Sequence, residues 1–137
     1  MFGTHASFAA CTSSQIDVNG NGTNCQTNKF SVTTTNDATS LSWTMSATGT
    51  FYVDCGTGGT LTSTTTDVSG KTITRNNTTQ QTYTCTWGSA GAHTVKFGSD
   101  SVTAYNTSTT TATISFYKSS NGTQAKIASI DGSLGAM

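Results

Sequence analysis

Apolar and polar residues alternate along most of this chain. In KFSVTTT (29–35) Phe30 and Val32 share a face, and in SLSWTMS (40–46) Leu41, Trp43 and Met45 do so. TFYVDC (50–55) aligns Phe51, Val53 and Cys55, and QTYTCTW (81–87) aligns Tyr83, Cys85 and Trp87. HTVKF (93–97) places Val95 with Phe97, and TATISFY (111–117) places Ala112 with Ile114 and Phe116. KTITR (71–75) reads as a short edge strand, and KIASI (126–130) is ambiguous. A period of two is the pattern of half-buried antiparallel strands, with one face on a core and the other in water. Turn signals at TGT (48–50), GTGG (56–59), SG (69–70), RNN (75–77), SAGA (89–92) and SSNG (119–122) recur at about the spacing of a β-sandwich. No window carries a helical stripe. The pattern predicts an all-β, antiparallel β-sandwich.

Composition agrees. Only 33% of the 137 residues are hydrophobic and 9% charged, against typical values of roughly 45–50% and about 25%. Threonine fills much of the deficit, at about a quarter of the chain. Its β-branched, hydroxylated side chain suits the solvated face of a sheet and disfavours helix. With no proline, bends fall to Gly, Asn and Asp. Six basic and six acidic residues cancel, so no basic stripe exists to neutralise phosphates and nucleic acid is not an expected partner. Nothing approaches the roughly 18 apolar residues of a membrane span. MFGTHASFAAC (1–11) lacks the charged start and apolar length of a signal peptide, and the natural protein is expected to be longer.

The four cysteines are separated by 14, 30 and 30 positions, with no C-x-x-C. A four-cysteine zinc site usually needs a tight pair, whereas a small, weakly charged chain with four cysteines points to disulfides and an oxidising compartment. Cys55 and Cys85 lie on apolar strand faces, so both sulfurs are expected in the core and able to pair. Cys11 would then join Cys25 by elimination, and the other two connectivities stay open. The expected organisation is a disulfide-looped segment at 1–28, a sandwich at 29–118, and a C-terminal strand or the start of a truncated repeat region at 119–137.

FYVDCGTGGT (51–60) resembles the strand and turn of polycystic-kidney-disease (PKD) type domains, and YTCTWGSAGAHTVKFG (83–98) resembles their later strand–turn–strand. Val53, Cys55 and Thr57 stand where that family usually has Trp, Phe and a second Asp. With ITRNNTTQQTYTCTW (73–87) ahead of the turn, the cysteine version resembles the domain that precedes leucine-rich repeats in BspA-type bacterial surface proteins. The tail KIASIDGSLGAM (126–137) is similar to the opening of such an array. The resemblance covers roughly residues 29–137 and implies an immunoglobulin-like sandwich, an exported bacterial protein and a spacer, display or adhesion role beside a neighbouring repeat domain. It implies no catalytic residues and no cofactor.

DVNGNG (17–22) matches the opening of a calcium loop at Asp17, Asn19, Asn21 and Gly22. The ninth and twelfth positions are Cys25 and Asn28, so Asp17 is the loop's single carboxylate. One charge does little to offset dehydration of a divalent cation, and a turn-rich loop built on Asn and Gly fits better. His5 and His93 lie far apart and no G-x-S-x-G occurs, so no nucleophile–base set is recognisable. Asp54, Asp67, Asp100 and Asp131 sit beside turn-like residues and read as turn caps rather than a glycosidase pair. Trp43 and Trp87 fall on inward faces, and Tyr105 and Tyr117 add two further rings. Tyr52 lies on the opposite face from Phe51 and Val53, and is expected to be the best exposed ring for stacking on a sugar. Sequons beginning at Asn77, Asn106 and Asn121 are frequent by chance in so Asn- and Thr-rich a chain. The expected function is that of a non-catalytic extracellular module with a host or glycan ligand; a carbohydrate-binding module and a phage or filament subunit are the alternatives.

Overall fold

The structure, a computed structural model, describes residues 10–105, 114–116 and 123–132. In chain order its strands are β1 (Gln15–Asp17), β2 (Cys25–Thr27), β3 (Phe30–Thr34), β4 (Ser40–Met45), β5 (Ala47–Asp54), β6 (Gly59–Ser63), β7 (Val68–Ser69), β8 (Thr72–Arg75), β9 (Gln81–Trp87), β10 (Thr94–Tyr105), β11 (Ile114–Ser115) and β12 (Ile127–Gly132), with one 3-10 turn at Thr123–Lys126. His5, Tyr117, the turn at 119–122 and the sequons beginning at Asn106 and Asn121 lie outside the described residues, as does the side chain of Tyr105.

Two antiparallel sheets carry the fold. One runs β12-β3-β10-β5-β8-β7 and the other β11-β4-β9-β6. Their facing sides hold the residues that the alternation places inward. Phe30, Val32, Phe51, Val53, Ile73, Val95 and Phe97 of the larger sheet meet Leu41, Trp43, Met45, Tyr83 and Cys85 of the smaller, all buried. Phe97 is the hub of the aromatic packing. It stacks on Phe30 at 4.6 Å between centroids and meets Trp43 edge-to-face at 5.0 Å. Each such ring removed from water contributes about 1.5–3 kcal/mol, which explains how a chain one-third apolar sustains a core.

The outward side of the smaller sheet is a hydroxyl ladder. Ser42 pairs across from Thr84 and Thr44 from Thr82, and the Ser42 and Thr84 hydroxyls are 2.9 Å apart. Cross-strand hydroxyl pairs of this kind stabilise a sheet without apolar cover.

Three features depart from the alternation. The glycine at 48–50 makes no turn: β5 runs through it, and the chain changes sheets at Ser46, between Met45 and Ala47. Gly49 instead takes a φ of 137°, opposite a register shift in β10 between Ser99 and Val102. β6 was not apparent because Leu61 is its single large apolar residue. Residues 127–132 form the outer strand of the larger sheet, paired with β3. Ahead of it, Lys126 forms an ion pair with Asp37 and holds that carboxyl down to about 2.

The first segment is more ordered than a loop. β1 and β2 form a hairpin, closed by the Cys11–Cys25 disulfide with Cα atoms 5.4 Å apart. Ile16 is fully buried, seated against Gly98 on the outward side of the larger sheet. A Cβ built on Gly98 would stand 2.5 Å from the Thr27 carbonyl oxygen and 3.3 Å from Ile16 Cδ1. The hairpin is also held by polar contacts, since the Phe97 amide donates to Asn28 Oδ1 at 3.2 Å and the Lys29 amide to the Phe97 carbonyl at 2.8 Å. Gly98→Ala is therefore predicted to destabilise by about 1–3 kcal/mol, as overpacking does. Hydrogen exchange in residues 15–27 should accelerate more than in β4 or β9.

Candidate functional site

The second disulfide ties the two sheets together. Cys55 follows the end of β5, Cys85 is in β9, and their Cα atoms are 5.6 Å apart. The turn between β5 and β6 is drawn close over this bridge. Gly59 has no room for a side chain, because an added Cβ would lie 2.6 Å from Cys55 Cβ, the Cys55 carbonyl oxygen and Trp87 Nε1. The indole N–H of Trp87 donates to that same carbonyl at 2.9 Å. On the outer side of Trp87 lies the His93 imidazole, stacked at 4.1 Å with planes 3° apart. The His93 ring is half-exposed, with Nε2 3.3 Å from the Ser89 carbonyl oxygen.

Beside this turn is a depression of about 750 Å³, walled by Asp54, Lys71 and Lys96 with Thr57, Thr60 and Thr94. A smaller hollow of about 290 Å³ adjoins it, sharing Cys55, Gly56, Thr57 and Thr94 and reaching His93. Asp54 has two tasks. Its Oδ1 accepts the Gly56 amide at 2.9 Å, the turn cap expected of it, and its Oδ2 pairs with Lys71 Nζ at 3.0 Å. Lys71 Nζ also donates to the Asp17 carbonyl at 2.8 Å, and Lys96 Nζ donates to the Gln15 carbonyl at 3.1 Å. Lys96 has no carboxylate within ion-pair distance among the described residues.

At the opposite end of the sandwich a second polar cluster surrounds Arg75. Its Nε donates to the Ala47 carbonyl at 2.7 Å, one terminal nitrogen to the Tyr83 hydroxyl at 2.6 Å, and the other to the carbonyls of Asn77 and Thr79. The Tyr83 hydroxyl donates in turn to Asp67 Oδ2 at 2.5 Å, and Arg75 lies 3.6 Å from the same oxygen. Burial works to raise the Asp67 carboxyl, but hydrogen bonds from Thr65, Tyr83 and Ser63 outweigh it and hold the group below its ordinary value. Burial, with Asp67 alongside, pushes the Tyr83 phenol well above its usual range. Four of the five N–H donors of this guanidinium are used inside the fold, and Asp67 is its ion-pair partner, which marks the cluster as structural.

The sequence-derived candidates are redistributed. Tyr52 is on the outward face as expected, yet it is only 7% exposed and forms no platform. It sits cross-strand from Gly98, where the N-terminal hairpin covers the sheet, and its hydroxyl donates to Asp100 at 2.9 Å. Tyr52→Phe is predicted to cost about 0.5–1.5 kcal/mol in denaturant unfolding, the range for one hydrogen bond. Asp17 turns both carboxylate oxygens into its own loop, accepting the amides of Gly20 at 3.0 Å and Gly22 at 2.9 Å. Asn21 Oδ1 accepts from Thr23, and Asn19 is exposed. The loop 17–24 is thus closed by its own backbone, with Gly20 and Gly22 at positive φ. Asp131 accepts from the Ser129 hydroxyl at 3.3 Å. Trp43 and Trp87 are buried, as the alternation implies.

Lysines 71 and 96 were missed in the sequence because Lys71 stands in a polar turn and Lys96 on the outward face of an apolar-alternating strand, and only the fold brings them near Asp54. Among the described residues no helix is long and apolar enough to cross a membrane. Comparison of the chain with known protein families, with curated proteins and with solved structures finds no match.

Proposed function

We propose that this chain is a non-catalytic, extracellular module of a bacterial cell-surface protein, serving display or adhesion. The observation that carries the reading is the pair of disulfides, with no cysteine left free. One closes the hairpin that covers the larger sheet, and the other locks sheet to sheet. Such crosslinks persist in oxidising compartments, and they stabilise a small domain with few apolar residues to bury.

The PKD-like reading draws support from the same place. The two segments that resemble that family become β5–turn–β6 and β9–turn–β10, and Cys55–Cys85 joins them. Tyr83 stands two residues before Cys85 and sends its hydroxyl to Asp67, much as a tyrosine near the second cysteine anchors the corner of immunoglobulin-type sandwiches. His93 is engaged by Trp87 and a backbone carbonyl rather than by a nucleophile, which favours binding over catalysis.

The test is surface labelling of intact cells that make the native protein. After brief reduction, a membrane-impermeant maleimide should modify Cys11 and Cys25, and unreduced cells should show no labelling. Labelling without reduction, or labelling only after lysis, would count against the proposal.

A further inference from the structure

We infer that the depression beside the β5–β6 turn is a binding site for carboxylated carbohydrate, meaning pyranose units that bear a carboxylate. This deepens the adhesion reading and rests on it. The site is concave and large enough, at about 750 Å³, for one or two sugar units by comparison with ordinary ligand pockets of roughly 300–1,000 Å³. Its walls offer what sugar hydroxyls require. The Asp54 carboxylate accepts, the Lys71 ammonium donates, and the hydroxyls of Thr57, Thr60 and Thr94 do either.

The charge of the site selects the acidic class. Asp54 and Lys71 neutralise one another at 3.0 Å. Among the described residues Lys96 is held by the Gln15 carbonyl alone, which leaves the wall with one positive charge beyond the Asp54–Lys71 pair. An ammonium has three donors, and a single carbonyl uses one, so the remaining two can meet a carboxylate. Position is fixed as well, because the carbonyls of Gln15 and Asp17 draw both lysines toward the hairpin. Neither side chain must be immobilised at the moment of binding, which lowers the entropic cost.

The adjoining hollow supplies the apolar contact that a sugar ring face needs. His93 presents a half-exposed ring backed by Trp87 at 4.1 Å, and Trp87 is itself pinned to the Cys55 carbonyl. This two-ring slab takes the role that Tyr52, covered by the hairpin, does not. Gly56, at a φ of 75°, carries the turn between the two hollows, where an added Cβ would stand 3.0 Å from the Thr94 carbonyl oxygen.

The experiment titrates the oxidised chain, 15N-labelled, with tetragalacturonate, with sialyllactose and with neutral lactose, following amide shifts and heat. The first two share the carboxylate and separate a plant- or microbe-type uronate from a host-type sialic acid. Binding by at least one of them is expected at millimolar concentrations or below, weakening as salt is raised, with shifts at Thr57, Thr94 and Lys96. Lys96→Gln should weaken it tenfold or more, and His93→Ala should weaken it several-fold. Thr62→Ala, in the same edge strand but outside the depression, should not. Equal binding of lactose, shifts centred elsewhere, or an unaffected Lys96→Gln variant would overturn the site. The shift map is read on the unsubstituted protein and stands even where a variant folds poorly. No binding by any sugar, in a protein that surface labelling places outside the cell, overturns the site and leaves the module reading intact; retention inside the cell with free thiols overturns the module itself.

Discussion

Replacing Cys55 and Cys85 together by alanine is expected to lower stability by about 3–4 kcal/mol, the chain-entropy value for a crosslink closing a 30-residue separation. For a domain of this size that corresponds to a fall in Tm of roughly 10 °C or more. The loss should be global, because the bridge joins the end of β5 in one sheet to β9 in the other. Leu41 and Leu61 are the cross-strand partners of Cys85, so the sulfurs also fill volume among core side chains. Urea unfolding of the double variant should show a lower midpoint for every probe, Trp fluorescence included. The Cys11/Cys25 double variant makes an informative contrast. Its separation of 14 corresponds to about 3 kcal/mol on the same estimate, but its loss should appear first as local opening. Hydrogen exchange should quicken in the hairpin while β4 and β9 stay protected.

Arg75→Met is expected to cost about 3–5 kcal/mol, the range for breaking a buried ion pair by removing one partner. The Arg75 side chain is 2% exposed. Methionine fills comparable space but deserts the Ala47, Asn77 and Thr79 carbonyls, the Tyr83 hydroxyl and the Asp67 carboxylate together. Asp67→Asn alone should cost less, since Asp67 is the more exposed partner, and the double variant should be less damaged than the sum of the two. The same cluster shapes the pH profile. In the fold Asp67 is held below its ordinary value of 3.8, so the unfolded chain takes up that proton first. Its contribution is complete above about pH 4 and is lost as pH falls further. Tyr83 is held above its ordinary value of 10.0, so the unfolded chain loses that proton first. Its contribution is complete below about pH 10 and is lost as pH rises beyond it. Melting curves across pH should show both limbs, and Tyr83→Phe should flatten the alkaline one.

The strands that form the core were legible because an apolar residue at every second position has one physical solution in a small β protein. Phe30 with Val32, Leu41 with Trp43 and Met45, and Tyr83 with Cys85 and Trp87 carry enough buried area to dictate their own face. β6 and the N-terminal hairpin were not legible as strands. Each holds one large buried apolar residue, Leu61 or Ile16, and a single position defines no period. The exposure of Tyr52 was misjudged for a related reason. Its face follows from the alternation, but what covers that face is a hairpin some 35 residues earlier, fitted into the hollow left by Gly98. The depression at Asp54, Lys71 and Lys96 and the cluster at Arg75, Asp67 and Tyr83 were beyond reach in the same way. Their members come from different strands and the turns between them, and only the fold brings them together. The cysteines were the exception, since two of them sat on predicted inward faces and so disclosed a long-range contact.

An oxidised framework, Cys11 to Cys25 and Cys55 to Cys85, holds hairpin and sandwich together. Peptide mapping of the native protein, alkylated before digestion and kept unreduced, tests it directly. No alkylated cysteine and two linked species are expected, one joining the peptides of Cys11 and Cys25 and the other those of Cys55 and Cys85. Four alkylated cysteines, or a peptide linking Cys11 or Cys25 to Cys55 or Cys85, would contradict it.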